Sequence, residues 1–78
     1  MFVYTLQSLN NPDRFYVGLT DDPHRRLDEH NEGTTTHTRK YRPWILTSYH
    51  WFADETKARA FESYLKSGSG RAFARKHL

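Results

Sequence analysis

Two short runs of β-branched and aromatic residues, held apart by a turn, constrain this chain more than anything else in it. Phe2-Val3-Tyr4-Thr5-Leu6 and Phe15-Tyr16-Val17-Gly18-Leu19 both have strand composition. Between them Asn10-Asn11-Pro12-Asp13 is turn chemistry, because Asn and Asp tolerate left-handed backbone and Pro fixes φ. Residues 2–18 therefore predict a hairpin that brings Tyr4 and Tyr16 near each other on one sheet. On a small sheet such phenols are ordinarily packing or surface residues.

The rest of the chain must cover that hairpin with little material. At 78 residues it forms one domain, residues 1–78, near the lower size limit for folding without staples. No Cys is present to supply a disulfide or a thiolate zinc site, and the five His lack zinc-site spacing. Five Phe, five Tyr and two Trp with a modest aliphatic set suffice for one thin sheet and two or three helices. No apolar run reaches the length of a membrane span, and a strand starting at residue 2 leaves no room for a targeting segment. A cytoplasmic protein with no membrane partner is the expectation.

Charge is divided unevenly. Residues 1–33 hold three Arg/Lys against six Asp/Glu, whereas residues 34–78 hold nine against three. A basic half of this kind suits a face that meets phosphates.

Asp22-Pro23 predicts a helix start, with a capping carboxylate and Pro at the first position, and Gly33 predicts its end. On this helix, about residues 23–31, Arg26 and His30 are four apart and share a face; Arg25 and Glu29 form a solvated pair. Residues 34–43 show no hydrophobic period and read as an exposed loop. The loop carries His37, Arg39, Lys40, Tyr41 and Arg42 and no acid: cations for phosphates and a ring for a base. Trp44–Phe52 is the most apolar run and predicts a central strand covered on both faces, with Trp44 and Trp51 as packing residues. Asp54 then caps a helix reaching Lys66, buried along Ala58, Phe61 and Leu65, with Glu62 beside that stripe. Ser67–Gly70 is expected to break the helix. A short basic helix should follow from Arg71, with Phe73 docked on the sheet; its Gly residues and Arg71 could hold a phosphate.

Taken together, these residues resemble the GIY-YIG nuclease family. Val3-Tyr4 and Tyr16-Val17-Gly18 resemble its paired signature, with Phe2 standing where the family name has Gly. Arg26-Leu27 followed by His30 is similar to its second element, and Ala58 to Glu62 to its third. The ending Lys66-Ser-Gly-Ser-Gly-Arg71 looks like that of small bacterial stand-alone members, and the set as a whole resembles the nuclease domain of the excision-repair subunit UvrC. Two departures stand out: Leu19 lies where some repair nucleases have Lys, and no Asn matches the one that some members carry after the Glu helix.

The resemblance implies an α+β fold, a small three-stranded mainly antiparallel sheet flanked by helices in the order β-β-α-β-α-α. It implies a metal-dependent endonuclease hydrolysing DNA phosphodiesters, in repair or recombination, on flapped, branched or single-stranded DNA. Tyr4, Tyr16, Arg26, His30 and Glu62 take the catalytic positions, and Glu62 is the metal ligand for one Mg²⁺ or Mn²⁺. Arg26 would neutralise charge on the phosphate, a task suited to a planar fork. Tyr4 or Tyr16 would orient or deprotonate water, with nearby cations and the metal lowering the phenol pKa, and His30 would take or relay the proton. His37 is an extra site candidate. So small a surface reads little DNA sequence, which points to cleavage by shape and to a partner protein or second copy. The alternative is a non-catalytic nucleic-acid-binding module of the same fold, relying on Arg39, Lys40 and Arg42 and indifferent to Glu62.

Overall fold

The hairpin forms, and its first strand becomes the middle of the sheet. In the computed structural model, which describes residues 1–78, β1 (Phe2–Ser8) pairs antiparallel with β2 (Phe15–Thr20) on one side and β3 (Trp44–Trp51) on the other. The strand order is β2-β1-β3. The helices are α1 (Pro23–Glu32), a single turn α2 (Thr36–Arg39), α3 (Glu55–Lys66) and α4 (Gly68–His77). None is long and apolar enough to cross a membrane. Apart from the extra turn α2, this is the β-β-α-β-α-α arrangement expected.

Alternation along β1 divides the core in two. Val3 packs with Ala58 and Leu65 of α3, joined by Val17, Leu19, Phe61, Ala74 and Leu78. On the other face Tyr4, Leu6 and Trp44 form a second cluster with Tyr16, Leu27, Tyr41 and Leu46. So α1 covers the tyrosine face, and α3 with α4 covers the opposite one.

Local signals explain the helix ends. Asp22 accepts the Arg25 N–H, Pro23 opens α1, and Gly33 closes it at φ 83°. Asp54 accepts from the Thr56 and Lys57 amides at the start of α3.

Four expectations need correction. The Trp44–Phe52 run is an edge strand, not a central one, because β1 already takes both neighbours; Trp44 is buried, but Trp51 is 63% exposed. The segment 34–43 is not uniformly exposed, since α2 buries Thr38. Only Ser67 interrupts the last two helices: its hydroxyl accepts the Gly70 N–H, so α4 begins three residues earlier than expected. Gly70 is buried against the last turn of α3, where a Cβ would collide with the Tyr64 carbonyl. Phe73 lies against Tyr64 and His77 rather than the sheet, and Ala74 and Leu78 do the docking.

Candidate active site

Four of the five expected catalytic side chains meet where α1 crosses the tyrosine face. The register places Tyr4 opposite Gly18 and Leu6 opposite Tyr16, so both phenols share one face two residues apart across the ladder. Their ring centroids are 6.2 Å apart, and the His30 ring lies 4.8 Å from that of Tyr16. Gly18 is what lets Tyr4 lie flat over β2. A Cβ at position 18 would stand 2.6 Å from the Tyr4 hydroxyl.

His30 is fully buried and uses both ring nitrogens. Nε2 is 2.8 Å from the Tyr4 hydroxyl, and Nδ1 is 2.6 Å from Oγ1 of Thr38. The Thr38 hydroxyl has the Thr35 carbonyl as its own acceptor at 3.5 Å. That network assigns the proton to Nδ1, so the Tyr4 O–H donates to Nε2. Trp44 closes the chain by donating its indole N–H to the Thr38 carbonyl at 2.8 Å. Burial first, then the Arg26 cation, pushes the His30 pKa down to about 4. Near neutral pH the ring is uncharged.

The Tyr4 phenol moves in the opposite sense. Burial, and secondarily Tyr16, raises its pKa to about 12, outweighing the pull of Arg26. Without a metal, the Arg26 cation alone does not lower the Tyr4 phenol. Tyr4 is held by its hydrogen bond to His30. The Tyr16 hydroxyl has no protein partner, and its residue is only partly buried.

Arg26 sits beside the Tyr4 hydroxyl and donates through Nη1 to Glu29 at 2.8 Å. Glu29 holds one arm of the fork, and Arg26 also lies against the Tyr4 hydroxyl, with its side chain 32% exposed. Arg25 turns instead to Asp21 at 2.6 Å, with Glu29 at 3.9 Å, so the expected Arg25–Glu29 pair is secondary.

Glu62 stands on α3, outside this hydrogen-bonded cluster. Four residues after Ala58, it borders the buried stripe of Ala58, Phe61 and Leu65. Its side chain is 22% exposed, and its one polar partner is Lys66 at 3.3 Å. No hydrogen bond joins it to Tyr4, Tyr16, Arg26 or His30. No three His, Asp or Glu side chains are grouped to hold a metal ion unaided. A single carboxylate oxygen still suits a hard divalent cation that keeps water and takes phosphate oxygens as further ligands. On that donor chemistry Glu62 fits a metal as its sole protein ligand, once Lys66 moves off it.

The basic residues are spread more widely. His37, Arg39, Lys40 and Arg42 are exposed and form no ion pairs, while Tyr41 is partly buried under Arg14, whose guanidinium lies 4.7 Å from the ring. His37 does not join the cluster. Thr38, one residue on, does, and sequence reasoning missed it because a single buried turn has no period to detect.

Residues 1–76 match the profile of the GIY-YIG catalytic domain. The chain belongs to the GIY-YIG nuclease family. Among similar curated proteins, this GIY-YIG domain is 36% identical over 83 aligned positions to a structure-specific endonuclease subunit SLX1 of Candida dubliniensis, covering 97% of this chain and 28% of that protein. It is 38% identical to the subunit of the same name in Talaromyces marneffei, over 76% of this chain and 17% of the other. For Scheffersomyces stipitis SLX1 the identity is 40%, over 77% and 20% of the two chains. The domain thus spans less than a third of these relatives. They are fungal, and their shared name is that of a structure-specific subunit, which shifts the likeness away from bacterial excision repair. No solved structure matches.

Proposed function

We propose that this domain is the catalytic part of a structure-specific, metal-dependent endonuclease that hydrolyses phosphodiesters in flapped or branched DNA during repair or recombination. The observation that carries the reading is the buried Tyr4–His30–Thr38 chain beside Arg26 and Tyr16, in a domain of this family. Tyr4 and His30 fix each other, and Tyr4 in turn presents its oxygen to Arg26. The free donors of Arg26 bind a phosphate oxygen and stabilise charge that grows there in the transition state. Tyr16, with no internal partner, is the phenol left to orient the attacking water. Glu62 would hold Mg²⁺ or Mn²⁺, which supplies Lewis-acid polarisation of the phosphate.

Cleavage of a labelled panel of linear, flapped and branched DNA, with Mg²⁺ or Mn²⁺, tests this. Wild type should give metal-dependent product from the flapped or branched members; folded Glu62→Ala and Arg26→Ala should give none. Cleavage that survives both changes refutes the reading. The relatives' name describes a subunit, and a partner protein is part of the proposal, so wild type is also assayed with lysate fractions added.

The exposed, acid-free set Arg39, Lys40 and Arg42 favours a second reading, a binding module without useful activity. It predicts DNA binding that Glu62→Ala leaves intact and no product from any DNA, metal or fraction.

A further inference from the structure

A cleft of about 250 Å³ opens on the face of the sheet opposite the tyrosines. Its floor is Thr5, Val17 and Thr47, and Leu65 and Ala74 form an apolar wall. Arg71 and Arg75 line it with Arg14, Lys66 and Asp13; the Arg14 guanidinium is engaged over the Tyr41 ring and Lys66 pairs with Glu62. Arg71 and Arg75 form no ion pair or side-chain hydrogen bond within the protein. They stand one turn apart on α4, on one side of the helix. Phe15, at the mouth, is 49% exposed although it belongs to a strand.

Unpaired guanidiniums gathered over a cavity raise the local potential for an anion, and their fork geometry favours phosphate oxygens. The apolar wall and the open Phe15 ring add what a bare phosphate does not need, a surface for a base. The volume is below that of sites for drug-sized ligands and admits one nucleotide unit. We propose that this cleft holds one nucleotide of a DNA strand, with its phosphate on Arg71 and Arg75 and its base against Phe15. The inference rests on the nuclease reading for its biological setting. Since the cleft and the tyrosine cluster lie on opposite faces, the strand held here is a different arm from the one presented to Arg26. That is the arrangement a branched substrate can satisfy and a short linear duplex cannot.

The test is binding, which does not depend on cleavage. Backbone amide NMR shifts of the full chain are followed, without divalent metal, during titration with thymidine monophosphate, a short oligothymidylate or inorganic phosphate. Saturable shifts at Thr5, Val17 and Thr47 with both nucleotide probes are expected. Inorganic phosphate should bind at least tenfold more weakly. Arg71→Gln/Arg75→Gln should weaken nucleotide binding at least tenfold, and Phe15→Ala severalfold for the nucleotides but not for phosphate. Shifts confined to the tyrosine face, equal binding of inorganic phosphate, or an unaltered double variant would each overturn the proposal. If the double variant unfolds, Arg71→Lys/Arg75→Lys replaces it, expected to bind phosphate but lose at least half of the nucleotide preference. A domain that cuts branched DNA but shows no cleft binding sinks this inference alone; cleft binding without any cleavage sinks the nuclease reading instead.

Discussion

His30 sits in the protein as a neutral ring that accepts from a phenol and donates to a threonine, and that choice carries a pH signature. Its folded pKa near 4 lies below the unfolded value near 6.5, so the unfolded chain binds more protons between those limits. The stabilisation is complete above about pH 6.5 and is lost as pH falls towards 4, by up to about 3 kcal/mol. Urea titrations across this range should show the loss, and His30→Gln should flatten it. Tyr4 gives the mirror case: its raised pKa stabilises the fold below pH 10, and that contribution disappears as pH climbs towards 12. Gly18 lies beneath the same phenol. Gly18→Ala should cost about 1–3 kcal/mol by overpacking. It should also abolish cleavage while every catalytic side chain is retained, which a melt and the flapped-DNA assay together would reveal.

At the scale of elements, the joint between α3 and α4 is set by one small residue. Gly70→Ala should force the helices apart and lower the melting temperature by several degrees, whereas Gly68→Ala, with open space around it, should not. Both can be read in parallel thermal scans. This joint also shows where sequence reading stops. The caps at Asp22 and Asp54, the hairpin and the Arg26/His30 spacing were all legible, since each depends on neighbours within four residues or on a turn. The edge position of β3 was not, because an apolar run looks the same whether it gains one partner or two. Nor was α4's early start, because Gly-Ser-Gly is poor helix material that Ser67 capping and close packing override. Thr38 and Glu29 escaped for another reason. Their roles are partnerships with His30 and Arg26 that only the folded α1–α2 corner defines.

Over the whole molecule, the basic second half is distributed on both faces of the sheet. Arg39, Lys40 and Arg42 flank the tyrosine side, and Arg71 and Arg75 ring the opposite cleft. Replacing the first three with Ala should weaken DNA binding and reduce the slope of log K against log salt by about 2–3 if each meets a phosphate. Fluorescence anisotropy across a salt series measures this, and an unchanged slope would remove the loop from the interface. The strand order has a consequence in time. Tyr4, Tyr16, Arg26 and His30 all belong to the first 33 residues made, yet Thr38 and Trp44, which lock His30, come later. The middle strand waits for its second neighbour until Trp51 has emerged. A growing chain therefore carries four of the five proposed catalytic side chains well before the fifth, Glu62 of α3, and on the proposed reading the domain stays harmless until synthesis has passed α3.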